Sequence, residues 1–223
     1  MSHVVHPYSH RLGIIRDWKS RWFATKKKYP LMLKSDLLIR EFIEKKLRGS
    51  YVANIEIERS EKNLRVILET SRPGIIIGRS GDGTNKLKEE IVKLLRAKNL
   101  LGKLDVKLDI REVKSPESNA MIVAQMVAEG LEKRLPYRRV IKQMVEKVMA
   151  NRDVKGVKIT VAGRLAGSTI ARSETRKLGR IPLQTLRSDV DYAHYEAKLP
   201  YGNLGIKVWI YKGDIFAKKQ EER

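Results

Sequence analysis

Residues 72–83 read RPGIIIGRSGDG, in which three isoleucines lead directly into a glycine-rich loop. Pro73-Gly74 interrupts the strand-like pattern before it, and apolar residues at helical spacing follow the loop over residues 87–95. The sequence therefore predicts a short helix, the loop and a longer helix in succession. Because Gly78 and Gly81 carry no side chains, the main chain there can approach a phosphate without a steric clash. The helix after the loop would add backbone N–H groups that attract an anion.

Three kinds of glycine loop share parts of this pattern. A Walker A loop, G-x4-G-K-[ST], would need a lysine between Gly83 and Thr84, and the sequence has none there. A dinucleotide fingerprint needs G-x-G-x-x-G, whereas the order here is G-x-x-G-x-G. The third kind is the G-x-x-G loop between two helices of K-homology (KH) domains, which clamps a nucleic-acid backbone. A plain turn between helices, with glycine caps and no ligand, remains the alternative.

The elements around the loop favour the KH interpretation. Ser35-Asp36 is typical of a helix N-cap, and a helical stripe follows it up to Gly49. Two short strands are predicted before the loop and one after it, which gives the order helix–strand–strand–short helix–GxxG–helix–strand. This is the order of bacterial-type (type II) KH domains, so we expect such a domain, with a three-stranded sheet, over residues 35–112. Its RNA-binding loop would consist of Gly78, Arg79, Ser80 and Gly81.

A second α/β domain is predicted over residues 113–213. Lys114-Ser115-Pro116 marks the boundary between the two domains. Two helical patterns, over 118–135 and 137–150, are followed by four strand-like segments. We expect two helices packed on a four-stranded sheet, so that the fold class of the whole chain is α+β.

Charge is the strongest compositional signal. The 223 residues carry 47 Lys and Arg against 26 Asp and Glu, a formal net charge of +21. Eight cations and one acid lie in a basic N-terminal extension over residues 1–34, and 15 cations and three acids lie over residues 133–187. Charge concentrated in this way indicates a polyanionic partner, most commonly nucleic acid, rather than a solubility requirement. A short charged tail is expected over residues 214–223.

The composition excludes several classes of protein. No cysteine is present, so disulfides, thiol catalysis and cysteine-based metal sites are ruled out. No apolar run approaches the ~18 residues of a membrane span and no signal-peptide pattern is evident, so we expect a cytoplasmic protein. His3, His6 and His10 have no acid or cysteine beside them to complete a metal site, and no nucleophile accompanies a base and an orienting group. We expect no enzyme activity, cofactor, metal or small-molecule substrate.

Cations on the second helix of the C-terminal domain form the other candidate site. At about 100° per residue, Arg138, Arg139 and Lys142 fall within one arc of that helix. Its apolar residues fall on another arc and predict a side that faces the core: Ile141, Met144, Val145 and Val148. One face could therefore pack while the other projects three positive charges. An ordinary solvated helix face is the alternative.

Aromatic residues lie among the cations of the N-terminal extension. Trp18 and Trp22 are four residues apart and could stack on bases, although we prefer a role in pinning the extension to the domain behind it. Lys26, Lys27 and Lys28 form a run that is either solvated or in contact with phosphates without sequence preference.

Long motifs spread over the whole chain carry a resemblance to a known family. They are VHP at 5–7, RLGI at 11–14, RPGIIIG at 72–78, GRLAG at 163–167, IAR at 170–172, GRIPLQTLR at 179–187, DVDY at 189–192 and GIKVWIYKG at 205–213. These motifs resemble those of bacterial small-subunit ribosomal protein number three, the "S three" family. There are two departures. Ser80 stands where the family's loop often carries a second basic residue, and residues 173–178 lack an aromatic pair that is common in the family.

The resemblance implies a structural protein of the small ribosomal subunit with a type II KH domain and a second α/β domain. It implies binding to small-subunit rRNA in the head of the subunit, beside neighbouring ribosomal proteins of the head. It also implies a position at the channel through which mRNA enters, where Arg138, Arg139 and Lys142 match a basic motif that helps to hold and unwind mRNA. The expected rRNA contacts are Arg11, Arg16, Lys26, Lys27, Lys28, Arg164, Arg172, Arg176 and Arg180.

Other functions stay open at the level of the sequence. A free KH-type RNA-binding regulator or a ribosome assembly factor could carry the same fold. A third hypothesis is an enzyme, for example one with the DNA-lesion lyase activity proposed for some eukaryotic relatives, but no residue of this sequence supports it. Co-sedimentation with small ribosomal subunits at high salt would separate a structural subunit protein from both.

Overall fold

In the computed structural model, which describes residues 5–60, 62–100 and 104–216, the chain divides into two units. The first, called the KH unit below, spans Trp18–Lys114. The second, the C-terminal unit, combines Met1–Asp17 with Ser115–Arg223. Residues 1–34, predicted as one extension, are therefore divided between the two units.

Each half of this N-terminal segment contributes one short element. Helix α1 (Pro7–His10) belongs to the C-terminal unit, whereas strand β1 (Ser20–Arg21) pairs in parallel with Ile57-Glu58 of the KH unit. Arg21 reinforces this pairing through ion pairs to Glu56, at 2.7 Å, and to Glu58, at 2.6 Å. The KH sheet therefore has four strands, whereas the sequence predicted three. Strand β1 was not predicted because a strand of two residues is too short to show a periodic pattern.

The remaining elements of the KH unit follow the predicted order. They are α2 (Tyr29–Lys46), β2 (Val52–Arg59), β3 (Asn63–Thr70), α3 (Pro73–Ile77), a 3₁₀ turn (Arg79–Gly81), α4 (Asp82–Ala97) and β4 (Asp105–Glu112). Strand β3 lies between β2, to which it is antiparallel, and β4, to which it is parallel. Fully buried residues of α2 and α4, among them Ile39 and Ile91, pack on the sheet and leave the α3–α4 loop at the surface.

Helix α2 begins at Tyr29, well before the N-cap predicted at Ser35-Asp36, and that prediction is wrong. Pro30 occupies the first turn, where a missing N–H costs nothing. Asp36 instead lies buried inside the helix, where its carboxylate accepts hydrogen bonds from Trp22 Nε1 and Arg59 Nε, both at 2.8 Å. These partners are distant in sequence, so local residue preferences could not reveal them. The Trp22 contact does pin its segment to the unit behind it.

Apart from α1, the C-terminal unit has two helices on a four-stranded sheet, as predicted, and the sheet is antiparallel. After α1, its elements are a 3₁₀ turn (Pro116–Ser118), α5 (Ala120–Glu132), α6 (Tyr137–Met149), β5 (Gly156–Gly163), a second 3₁₀ turn (Leu165–Gly167), β6 (Arg172–Gly179), β7 (Ser188–Leu199) and β8 (Gly202–Asp214). The strand order is β6-β5-β8-β7, so β6 is an edge strand. Val127, Ile141 and Ile159 are fully buried between the helices and one face of the sheet. Residues 217–223 of the predicted charged tail lie outside the described residues.

The N-terminal segment covers part of the opposite face of this sheet. The ring of His6 meets Tyr192 edge to face at 4.7 Å, and Tyr192 in turn contacts Trp209 at 5.3 Å. Ile181 and Leu183, between β6 and β7, pack on the same face against Trp209 and Tyr211. Within the described residues, no helix is both long and apolar enough to cross a membrane.

Candidate nucleic-acid interface

The glycine loop reverses the chain between α3 and α4 through two unusual backbone conformations. Gly78, which caps α3, has φ +70°, and Gly81, just before α4, has φ +84°. Residues with a Cβ rarely adopt these angles, so the glycines are needed for the turn itself. Arg79 lies between them with its side chain exposed.

Gly83 is a further loop residue, which the GxxG pattern does not include. A Cβ at this position would lie 2.9 Å from the carbonyl oxygen of Ile77 and closer still to that of Ile76. Only glycine therefore allows the first turn of α4 to pack against the end of α3. The sequence signal was a further glycine two residues after Gly81, but the close approach is visible only in the structure.

The loop offers two groups that attract a phosphate. One is the Arg79 guanidinium, and the other is the first turn of α4, where N–H groups lack partners within the helix. The Asp82 N–H is already engaged, because it donates to the Arg79 carbonyl oxygen. Asp82 in that same turn carries a negative charge and offsets part of the attraction. The order α3–loop–α4 is the one expected of a KH domain, and RNA binding through Gly78, Arg79, Ser80 and Gly81 stays a prediction.

Helix α6 divides into a buried face and a cationic face, as its periodicity predicted. Ile141 is 0% exposed and Val148 is 1% exposed, whereas the side chains of Arg138 and Lys142 are 71% and 75% exposed. Arg139 is also exposed. The apolar face holds the helix in place, so the three cations are not needed to support the core.

Ion pairs restrain two of these cations weakly. Arg138 Nε lies 3.4 Å from Glu174 Oε2, and Lys142 Nζ lies 4.0 Å from Glu146 Oε1. The electrostatic interaction with Tyr137, followed by the hydrogen bond to Glu174, raises the pKa of Arg138 above its ordinary value. Exposed pairs of this kind contribute about 0–1 kcal/mol and can exchange for a phosphate.

Edge strand β6 extends the cationic surface of α6. Arg176 pairs with Ile159 and Arg172 pairs with Gly163 across the sheet, so both arginines lie on the sheet face that carries the helices. Both side chains are exposed. We call Arg138, Arg139, Lys142, Arg172 and Arg176 the α6–β6 surface. The sequence placed these residues in separate groups, and the strand register brings them to one side.

The burial of Arg11 contradicts the prediction that this residue contacts rRNA. Its side chain is 0% exposed, and its guanidinium donates hydrogen bonds to the carbonyl oxygens of Ser188, at 2.5 Å, and Pro7, at 3.1 Å. A further nitrogen donates to Leu183 and Thr185, both at 3.0 Å. Desolvation by burial lowers the pKa of Arg11, and no phosphate can reach the group. This arginine ties the N-terminal segment to the C-terminal unit.

The remaining predicted rRNA contacts fall into two groups. Lys26, Lys27, Lys28 and Arg180 are exposed. Arg16 and Arg164 are partly buried: Arg16 pairs with Asp189 at 2.6 Å, and Arg164 donates to the Ser168 carbonyl at 2.9 Å. These six contacts, and those expected of Arg172 and Arg176, stay predictions. No group of three His, Asp or Glu side chains in the described residues is arranged to hold a metal ion.

Sequence reasoning missed a row of lysines on the other face of the C-terminal sheet. Lys158 pairs with Lys177 across β5 and β6, and Lys207 lies next to them on β8, opposite Thr160. Lys177 and Lys207 are exposed, and Lys158 stacks over Trp209 with its Nζ 4.8 Å from the ring centre. Alternation along each strand is the signal that could have found them.

The α3–loop–α4 geometry on a KH sheet, together with a second unit that presents exposed cations, defines a KH-type RNA-binding protein. Comparison with known families supports this class. The KH domain family model matches residues 38–118, and the model described as "Ribosomal protein S3, C-terminal domain" matches residues 127–210.

Curated relatives match nearly the whole chain. The small ribosomal subunit protein uS3 of Caldicellulosiruptor bescii is 47% identical over 98% of this chain and 96% of its own length. Proteins of the same name from Clostridium novyi and Pseudomonas aeruginosa are 42% and 43% identical over 99% and 100% of this chain, and over 96% and 94% of their own lengths. The chain belongs to the ribosomal protein S3 (uS3) family.

Proposed function

We propose that this chain is a structural component of the small ribosomal subunit in the cytoplasm. It binds small-subunit rRNA in the head of the subunit and contacts neighbouring ribosomal proteins there. Family membership and the net charge of +21 support this role. Because the curated relatives are named as a subunit protein, we assign no reaction to the chain.

The finer part of the proposal concerns mRNA. The cationic face of α6, with Arg138, Arg139 and Lys142, borders the channel through which mRNA enters. The observation that carries this assignment is the division of α6 described above. Its apolar face packs against the core, and the three charges project from the surface, where two of them make only weak ion pairs.

Phosphate chemistry explains how such a face would act on a folded message. Arginine guanidinium groups form forked hydrogen bonds with phosphates, and lysine adds a mobile point charge. Cations that hold a separated strand by its phosphates disfavour its return to the duplex. A structured message would therefore open with less resistance, while an unstructured message would gain little.

Replacing Arg138, Arg139 and Lys142 with alanine tests this role. Alanine has high helix propensity and the apolar face stays intact, so we expect normal folding and normal co-sedimentation with small subunits. Translation through a stable mRNA hairpin should slow several-fold, while translation of an unstructured message should change little. The measurement compares elongation on both messages with ribosomes that carry the variant.

Two controls sharpen the result. Replacing Lys93, Arg96 and Lys98 with alanine removes three exposed cations elsewhere and should leave both messages unaffected. The double change of Arg138 and Arg139 to lysine keeps the charge but removes the fork, and an intermediate effect is expected. Equal slowing on both messages, or no slowing on either, would refute the assignment.

A further inference from the structure

A groove of about 580 Å³ lies in the C-terminal unit, beside the first turn of α6. Its walls are the α5–α6 connection, the 3₁₀ turn after β5 and the turn between β7 and β8. Leu131 and Leu204, which are 4% and 3% exposed, form an apolar floor. The volume lies within the range of about 300–1,000 Å³ that is typical of small-molecule sites.

Two tyrosines and three arginines surround this floor. Tyr201 is 61% exposed although it is a large aromatic residue, and Tyr137 is half-buried. The guanidinium of Arg164 lies 5.8 Å from the Tyr201 ring, and that of Arg138 lies 5.6 Å from the Tyr137 ring. Arg134 is the third cation, and none of the lining residues is acidic. The groove therefore pairs aromatic rings with positive charge.

The backbone of two walls is held in an unfavourable conformation. Arg134 has φ +60° and Ala166 has φ +54°, in a region that residues other than glycine seldom adopt. Hydrogen bonds fix both turns: Arg134 N donates to the Leu131 carbonyl at 2.9 Å, and Arg164 Nε donates to that of Ser168 at 2.9 Å. Strained backbone of this kind is concentrated at binding sites.

We propose that this groove binds one unpaired nucleotide of single-stranded RNA, with the base stacked on Tyr201 and the flanking phosphates at Arg134 and Arg138. The inference rests on the proposed RNA-binding function. It adds a site that binds a base, whereas the α6–β6 surface offers only cations for phosphates. Charge complementarity favours RNA over a basic peptide, because the lining carries three guanidinium groups and no acidic residue, and among the described residues only Arg138 of these pairs with a carboxylate, that of Glu174. Such a groove would repel a basic partner and suit a phosphodiester. The apolar floor suits a base, since every base has an apolar stacking face.

The site would discriminate between single and double strands. A base inside a duplex is stacked and paired, so it cannot enter the groove without first leaving the duplex. Because Arg138 belongs both to the groove and to the α6–β6 surface, a strand held by its phosphates on α6 would place a base beside Tyr201. The groove would then favour the open form of a structured RNA.

Binding of two oligoribonucleotides to the full chain tests the proposal. One probe is an unstructured octamer of uridine, and the other is the same backbone without bases. We expect the wild-type chain to bind the uridine octamer about fivefold or more tightly than the abasic one. Tyr201→Ala should lower this ratio several-fold, whereas Tyr201→Phe, which keeps the ring, should retain it. Phe23→Ala removes an exposed aromatic residue in the KH unit and should leave the ratio unchanged.

The possible outcomes separate this proposal from the proposed function. An unchanged ratio in Tyr201→Ala overturns the nucleotide site, even if the alanine triple variant of α6 still loses affinity for the abasic octamer. Photocross-linking of a 5-iodouridine octamer should label the peptide that contains Tyr201, and labelling only elsewhere also overturns the site. If Tyr201→Ala loses association with small subunits while its RNA affinities stay equal to wild type, the groove belongs to a protein partner and the proposal is wrong.

Discussion

The guanidinium of Arg11 shows how one residue can attach a terminal segment to a domain. Its hydrogen bonds reach carbonyl oxygens on both sides of the contact, at Pro7 and at Leu183–Ser188. An arginine can do this because it carries five donors in a fixed plane. Removing it would leave several buried carbonyl oxygens without donors, each of which carries a desolvation cost.

We therefore expect Arg11→Met to lower the free energy of unfolding of the full chain by about 3 kcal/mol or more. The methionine fills similar volume, so the loss reports on the hydrogen bonds. Urea unfolding measures it. The matched control is Arg176→Met, an exposed position in the same unit, where a change within about 0.5 kcal/mol is expected. Equal stability of the two variants would show that the Arg11 contacts contribute nothing.

Glycines at the loop show a second residue-level effect. Gly78 and Gly81 are required for their backbone angles, whereas Gly83 is required because α3 lies against it. Substitution of the three glycines is therefore unfavourable for different reasons and at different costs. A variant that removes charge without touching a glycine is the better probe of RNA binding.

At the level of the element, Arg79→Ala is that probe. It removes the exposed cation of the loop and leaves the backbone unstrained. We expect a loss of about fivefold in affinity for a short single-stranded RNA, the size of about one charge-assisted contact at the surface. Fluorescence anisotropy on the full chain measures the affinity, and Lys93→Ala is the control for loss of one exposed charge.

Gly81→Asp adds a second test of the same loop. The aspartate brings a negative charge and a Cβ to a position with φ +84°, at a strain cost of about 1–2 kcal/mol. We expect a larger loss of RNA affinity than for Arg79→Ala, together with lower stability. Unchanged affinity in both variants would make the loop a structural turn, in keeping with the offsetting charge of Asp82.

Helix α6 and strand β6 show how two elements build one surface. Neither element by itself carries more than a few exposed cations. The antiparallel register of β5 and β6 places Arg172 and Arg176 on the helix side of the sheet, and the Glu174 contact joins β6 to Arg138. The α6–β6 surface is therefore a property of their pairing.

At the level of the whole molecule, a net charge of +21 should make RNA binding strongly dependent on salt. Each phosphate that the chain neutralises releases counterions, so affinity falls steeply as salt rises. For several contacts we expect a loss of about a hundredfold or more between 50 and 200 mM salt with a small-subunit rRNA transcript. Filter binding over a salt series measures the slope.

The alanine triple variant of α6 gives this measurement an internal reference. If its three cations contact rRNA phosphates, the slope should fall by about 0.7–0.9 for each contact that is lost. If they face mRNA instead, as proposed, the slope with rRNA should match that of the wild type. A wild-type affinity that is nearly flat across the salt series would contradict the electrostatic basis of the whole proposal.

Much of the architecture could be predicted from the sequence because it depends on local patterns. The spacing of the glycines predicted the loop, the order of strands and helices predicted the KH domain, and the periodicity of α6 predicted its two faces. Each of these patterns involves residues that are close together in the sequence. The family resemblance added the ribosomal role. In the C-terminal unit, alternation and helical periodicity were enough to predict two helices on four strands, since both patterns report which side of an element is buried.

The tertiary structure decided the roles of those residues whose contact partners are distant in the sequence. Asp36 became a buried helix residue because Arg59 and Trp22 satisfy it, and Arg11 became an anchor because carbonyl groups at 182–188 surround it. The tyrosine–arginine groove likewise needs three separate segments. The sequence alone does not show whether a charged side chain will contact solvent, a carboxylate or several carbonyl oxygens. The tertiary structure decides this, because burying a charge is favourable only where the surrounding chain supplies hydrogen-bond partners.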